Sequence, residues 1–129
     1  MSGTVVNVAR RSVLVVEDEA LIRLDLAAAL EAHGFDVIEA GDGVTGLDLF
    51  RENQQIDAVI SDLALPGTMS GYQLVQAIRQ ERPSCTIIIA TGKELRIPED
   101  FDEHVLLEQK PYDPAKIALI LRMRDADGI

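Results

Sequence analysis

Val13-Leu14-Val15-Val16-Glu17-Asp18 decides how the rest of the chain is read. Its apolar run is rich in β-branched side chains and does not alternate apolar with polar positions, as expected of a strand covered on both faces. The run stops at two carboxylates. Directly after it, Ile22, Leu26, Ala29 and Leu30 recur at helical spacing, and Gly34 follows His33 as a helix stop. Buried strand, acidic carboxyl end and helix thus form one unit.

That unit recurs along the chain. Phe35 to Ala40 reads as a shorter, more polar strand, followed by a helix striped by Val44, Leu47 and Phe50. Ala58-Val59-Ile60 leads into Ser61-Asp62, then a loop carrying Pro66, Gly67 and Gly71, then a helical stripe of Leu74, Val75 and Ile78 that stops before Pro83. Thr86 to Ala90 is the most strongly β-like run and ends at Thr91-Gly92. Residues 94–103 contain Pro98 and the acidic Glu99, Asp100 and Asp102, which predicts a short, irregular and mobile helix. Val105-Leu106-Leu107 ends near Lys110-Pro111, and Asp113-Pro114 is an N-cap with proline at the first helical position, opening a last helix striped by Ile117, Ile120 and Leu121. Five strands alternate with about five helices, which predicts an α/β fold with a parallel sheet covered on both faces.

Composition narrows the function. The 129 residues carry 12 Lys+Arg against 22 Asp+Glu, a formal net charge of −10, and 47% are hydrophobic. One domain of this size buries about two-thirds of its unfolded surface and needs no staples. The acidic balance argues against gripping nucleic acid or an anionic membrane surface. Cys85 is the only cysteine, so no intramolecular disulfide forms, and it reads as a small apolar residue at a strand entrance. No apolar run approaches the ~20 residues of a membrane span, and the start, ending in Arg10-Arg11, lacks a signal-peptide core. The expectation is a cytoplasmic protein.

In an open parallel sheet, ligands bind beyond the carboxyl ends of the strands. Glu17, Asp18, Asp62, Thr91 and Lys110 all fall there. Taken singly, the acidic pair would be a solvated helix N-cap, Asp62 a loop opener, Thr91-Gly92 turn chemistry and Lys110 a surface lysine. His33, at a helix end, and His104, in a charged loop, belong to no metal cluster. Taken together, three carboxylates in one place repel: two charges ~4 Å apart cost about 4 kcal/mol at an effective dielectric near 20. A hard divalent cation relieves this, and oxygen-only ligands favour Mg²⁺. Asp62 can then act as a nucleophile toward an anionic electrophile, with Lys110 and Thr91 meeting phosphoryl oxygens.

On these residues the chain resembles a bacterial response-regulator receiver domain, from about Ser12 to Arg124. The matching features are Val15-Val16-Glu17-Asp18-Glu19, Asp62 in Ser61-Asp62-Leu63-Ala64-Leu65-Pro66-Gly67, Ala90-Thr91-Gly92 and Lys110-Pro111, in the right order. The resemblance implies a flavodoxin-like (βα)5 fold with strand order 2-1-3-4-5. It implies that Asp62 accepts a phosphoryl group from a histidine kinase or histidine phosphotransfer protein. Glu17, Asp18, Asp62 and the backbone carbonyl of Ala64 would ligate Mg²⁺. Thr91 would be the switch hydroxyl, Lys110 the phosphoryl clamp, and Lys110-Pro111 a cis peptide. Domain bounds follow as 1–11 for an N-terminal extension, 12–126 for the receiver and 127–129 for a tail.

Three departures qualify the match. The family usually carries Tyr or Phe where this chain has Leu107, so the aromatic partner of the switch hydroxyl is missing unless Tyr112 substitutes. The loop after Asp62 is one residue longer than the commonest form, through Thr68-Met69-Ser70. Ile89-Ala90-Thr91-Gly92-Lys93 is similar to a subgroup of stand-alone receivers with a Thr-Gly motif that pair with HWE-class histidine kinases. Because the chain ends at Ile129, just after the last helix, the expectation is a single-domain regulator that signals by contact with a downstream protein or drains phosphoryl groups, and the resemblance allows a weak or phosphorylation-dependent dimer. Two alternatives stand beside it. One is a Mg²⁺-dependent phosphohydrolase with an aspartyl nucleophile, although Ala64 occupies the position where haloacid-dehalogenase-type phosphatases carry their general acid. The other is a constitutive receiver-like adaptor.

Overall fold

The computed structural model describes residues 11–92 and 104–127. Strands β1 (Ser12–Val16), β2 (Asp36–Ala40), β3 (Ile56–Ser61), β4 (Thr86–Thr91) and β5 (Val105–Gln109) form one parallel sheet in the order β2-β1-β3-β4-β5. Four helices are seen among the described residues: α1 (Ala20–Ala32), α2 (Gly43–Glu52), α3 (Gly71–Glu81) and α4 (Pro114–Asp127). The helix expected over 94–103 lies outside them. The parallel sheet is what the alternation implies, and the flavodoxin-like strand order is what the resemblance implies.

The apolar runs explain the strand order. β1, β3 and β4 occupy the centre, and their side chains are almost wholly buried because helices cover both faces. β2 keeps exposed and half-buried positions, as an edge strand does. On one face, Leu14, Val16, Val59, Ile87 and Ile89 pack with Leu47 and Phe50 of α2 and with Leu74, Val75 and Ile78 of α3. On the other, Val13, Val15, Ile60 and Ile88 pack with Leu26 and Leu30 of α1 and with Ile117 and Leu121 of α4. Burial of each such side chain stabilises by about 1.5–3 kcal/mol. Val44 departs from the expected stripe: it is an exposed residue at the start of α2, where the buried positions are Gly43, Gly46, Leu47 and Phe50.

The helix ends follow the sequence signals. Gly34 has φ +90°, the left-handed conformation that lets the Phe35 N–H donate to the Leu30 carbonyl at 3.1 Å and close α1. Asp113 Oδ1 accepts from the Ala115 N–H at 3.0 Å before α4. Asp42 caps α2 by accepting from the Thr45 N–H at 2.7 Å. Ser70 caps α3 in a reciprocal box: its Oγ accepts from the Gln73 N–H at 3.1 Å, and the Gln73 side chain accepts from the Ser70 N–H at 2.9 Å. This box fixes the far end of the loop that begins at Asp62. Ser70→Ala is therefore expected to destabilise the protein by about 1 kcal/mol, read as a lower urea midpoint with an unchanged slope; an unchanged midpoint would show that the box contributes nothing.

Candidate functional site

The carboxyl ends of β1, β3 and β5 bring their polar residues to one edge. Glu17 and Asp18 follow β1, Asp62 follows β3, and Lys110 follows β5. One carboxylate oxygen from each of Glu17, Asp18 and Asp62 lies within 4.8 Å of the others. Lys110 Nζ donates to Asp62 Oδ2 at 2.8 Å and also bridges to Glu17 Oε1. Glu17, Asp62 and Thr91 are buried, whereas Asp18 is exposed.

Backbone contacts fix these groups. The Glu17 N–H donates to the Ala40 carbonyl of β2 at 3.0 Å, and the Asp62 N–H donates to the Val16 carbonyl of β1 at 3.2 Å. Glu17 Oε2 accepts from the Glu19 N–H, and Asp62 Oδ1 accepts from the Ala64 N–H at 3.0 Å. The Lys110 N–H donates to the Thr91 carbonyl at 2.8 Å, tying β5 to β4 where the two strands end. Lys110-Pro111 is a cis peptide, as expected. The acidic pair is not the N-cap of α1: that position is Glu19, whose side chain makes no capping bond.

Burial raises the Glu17 carboxyl above its ordinary value, opposed by the hydrogen bonds from Lys110 and from the Glu19 N–H and reinforced by the neighbouring Asp18. Burial alone would lower the Lys110 ammonium, but its hydrogen bonds to Asp62 and Glu17 outweigh that and push it up. Lys110 therefore stays protonated across the physiological range. Three carboxylates facing one ammonium leave an excess of negative charge, and the donor atoms are all oxygen. That set fits a hard divalent cation such as Mg²⁺.

Thr91 ends β4 with the strand parity of Ile87 and Ile89, so its side chain belongs to the sheet face covered by α2 and α3. Leu107 pairs in register with Ile89 and packs against the same cluster. Tyr112 packs against the opposite cluster, beside α1 and α4. Tyr112 and Leu107 thus pack against different clusters, yet both line one cavity past the end of β5 with Glu108, Gln109 and Lys116. Tyr112 also lines a cavity of about 270 Å³ with Ile22, Asp25, Lys110, Pro111 and Pro114. Cys85 is buried just before β4, and desolvation pushes its thiol up to about 12, in keeping with an unreactive apolar role.

Two site residues escaped the sequence reading. Gly71 is legible only as a loop glycine, yet a β-carbon there would stand 1.8 Å from the Asp62 carbonyl oxygen. Its N–H donates to the Leu63 carbonyl at 3.0 Å, so the start of α3 presses directly on the Asp62–Leu63 backbone. Arg23 reads as an ordinary polar residue in the first turns of α1. Its guanidinium reaches back to the Glu17 carbonyl at 2.9 Å and to Glu39 Oε1 at 3.1 Å. The available signal was its position, one turn past the acidic pair on the end of the helix that faces the sheet edge.

The comparisons with known proteins agree with this geometry. The family model of the response regulator receiver domain matches residues 13–101. A cyclic di-GMP phosphodiesterase of Thermotoga maritima is 36% identical over 81 residues, which cover 63% of this chain and 21% of that protein. The alkaline phosphatase synthesis transcriptional regulatory protein PhoP of Bacillus subtilis is 32% identical over 123 residues, covering 87% of this chain and 49% of PhoP. Among solved structures, the receiver domain of the hybrid histidine kinase CckA has a TM-score of 0.74 at 30% identity, covering 88% of this chain and 97% of that one. The chain spans less than half the length of these two curated relatives.

Two outcomes follow from the site's packing. Gly71→Ala drives a methyl group into backbone and is expected to destabilise by about 2–3 kcal/mol; an unchanged urea midpoint would show that the loop yields freely. Burial raises the Tyr112 phenol to about 12 from an ordinary value near 10. The folded state holds that proton more tightly, so the contribution is complete below pH ~10 and is lost as the pH rises toward about 12. Tyr112→Phe should flatten that part of the alkaline stability profile, and an identical profile in both proteins would refute the assignment.

Proposed function

The chain belongs to the response regulator receiver family, and we propose that it takes a phosphoryl group onto Asp62 from a histidine kinase or histidine phosphotransfer protein and then signals by contact with a downstream protein or drains phosphoryl groups. That it is a phosphoacceptor domain of two-component signalling rests on the family itself. The finer reading is carried by one observation: Asp62 lies between the Lys110 ammonium, 2.8 Å from its Oδ2, and two further carboxylates. The receiver unit is proposed as residues 12–127, one residue past the expected bound of 126, because α4 runs through Asp127. Among the described residues no helix is long and apolar enough to cross a membrane.

The chemistry follows from the held groups. Asp62 is oriented by the Ala64 N–H and by Lys110. One of its oxygens attacks the phosphorus of the phosphohistidine in line, the new O–P bond forms as the N–P bond breaks, and the electron pair returns to the imidazole nitrogen. Lys110, protonated throughout, meets the charge on the phosphoryl oxygens. The Thr91 hydroxyl donates to another of those oxygens and is the group through which the new charge is sensed. Glu17, Asp18, Asp62 and the carbonyl of Ala64 would hold Mg²⁺, which when bound supplies further positive charge against the phosphoryl group. The acyl phosphate adds about −1.5 to −2 charge, which shifts the Thr91 end of β4 and the surface of β5 and α4 that a downstream protein reads. Pairing with an HWE-class kinase, and a phosphorylation-dependent dimer, are further parts of this reading.

A phosphohydrolase is disfavoured because Ala64 is an exposed alanine that contributes only main-chain atoms beside Asp62 and offers no general acid. Intact mass after incubation with acetyl phosphate and Mg²⁺ separates the readings. The wild type should gain one phosphoryl group that depends on Mg²⁺ and is absent from Asp62→Asn. An equal adduct on the mutant would overturn Asp62 as acceptor. Sustained release of p-nitrophenol from p-nitrophenyl phosphate would favour the hydrolase. No adduct on wild type, with a partner still bound, would favour the constitutive adaptor.

A further inference from the structure

The three carboxylates of the cation site are not equally secured. Glu17 and Asp62 are buried and each is gripped by Lys110 and by a backbone N–H. Asp18 is exposed, so the direction of its carboxylate depends on the peptide that carries it. That peptide is the Glu17–Asp18 link. Its carbonyl oxygen accepts from Arg23 Nη1 at 2.9 Å. The same guanidinium donates through Nε to Glu39 Oε1 at 3.1 Å, and the Arg23 N–H closes the first turn of α1 on the Glu19 carbonyl at 2.9 Å. One residue thus fixes the acidic turn at two points, with a rigid fork anchored on β2 through Glu39.

We propose that Arg23 is a positioning residue for the cation site: it holds the Glu17–Asp18 peptide so that Asp18 faces Glu17 and Asp62, and Glu39 orients and neutralises its guanidinium. The proposal rests on the reading that these carboxylates bind Mg²⁺. It makes a prediction opposite in sign to simple electrostatics. Arg23 is a cation beside a cation site, so on charge alone its removal would strengthen Mg²⁺ binding. If Arg23 acts by positioning, its removal weakens binding despite the relief of repulsion, because second-layer partners that orient metal ligands are typically worth at least about ten-fold in affinity.

The test is calorimetric titration of the full chain with MgCl₂ alone, for wild type, Arg23→Ala and Arg23→Met. The methionine keeps an unbranched aliphatic stem at this position and guards against loss of folding. Both variants should bind Mg²⁺ about ten-fold more weakly, and their phosphorylation rate by acetyl phosphate should return to the wild-type value at saturating Mg²⁺. Unchanged or tighter binding in the variants overturns the proposal while the Mg²⁺ reading stands. A rate that stays low at saturating Mg²⁺ also overturns it, in favour of a general structural role. A wild type that binds no Mg²⁺ overturns the reading of the site and this proposal with it.

Discussion

Lys110 is the group on which the site depends. Its ammonium is the common partner of Glu17 and Asp62, and through them it joins the ends of β1, β3 and β5. A buried carboxylate without a partner is expensive, and two of them side by side more so. The sheet can keep both acids at one edge only because a cation reaches them from a third strand. The reach is set by local geometry: the Lys110 N–H is bound to the Thr91 carbonyl. The side chain that balances the acids and the hydroxyl of Thr91 are therefore positioned by the same short piece of backbone.

A second constraint is crowding rather than charge. The loop after Asp62 must return within hydrogen-bond distance of its own start, because the Gly71 N–H meets the Leu63 carbonyl. No β-carbon fits at Gly71 without moving the Asp62 backbone. The extra length through Thr68-Met69-Ser70 is taken up against α2: a β-carbon at Gly43 would stand 2.9 Å from the Met69 carbonyl oxygen, and Met69 packs on the core shared by α2 and α3. The added residue is thus tied to the scaffold, and the surface beside Asp62 is shaped by α2 as well as by α3.

The central strands and the chemistry of the site were legible for different reasons. β1, β3 and β4 announce themselves because burial on both faces removes polar residues, and the strands so identified are the central ones. Helix ends at Gly34 and Asp113 follow from backbone groups that need partners. Asp62, Glu17, Asp18 and Lys110 are visible because the fold gathers strand ends, so residues far apart in the chain become neighbours once the alternation is recognised. Val44 was misread because a helical stripe judged by apolar identity cannot register that Gly43 and Gly46 take the buried positions, where α2 packs too closely for larger side chains. Arg23 and Gly71 were invisible for a related reason. One donates to a main-chain carbonyl and the other lets two backbone segments meet, and residue type alone does not separate either from an ordinary surface arginine or loop glycine.

Leu107 bears on how a signal could leave the site. It shares a sheet face with Thr91 and is half-buried against the α2–α3 core, while Tyr112 packs against the other cluster. An aromatic ring in that position would couple the hydroxyl to the surface by moving a large apolar area between core and solvent. A leucine moves less: full burial of such a side chain is worth about 1.5–3 kcal/mol, and Leu107 starts only partly buried. Useful coupling between sites needs about 1–3 kcal/mol, so Leu107 alone supplies at most the lower part of that range. On the proposed switch, the remainder must come from the strand end itself, where Thr91 and Lys110 share one backbone hydrogen bond and a phosphoryl group would act on both. On that proposal, polar and backbone rearrangement at the junction of β4 and β5, rather than the swing of a buried ring, would carry phosphorylation to the outer surface of this domain.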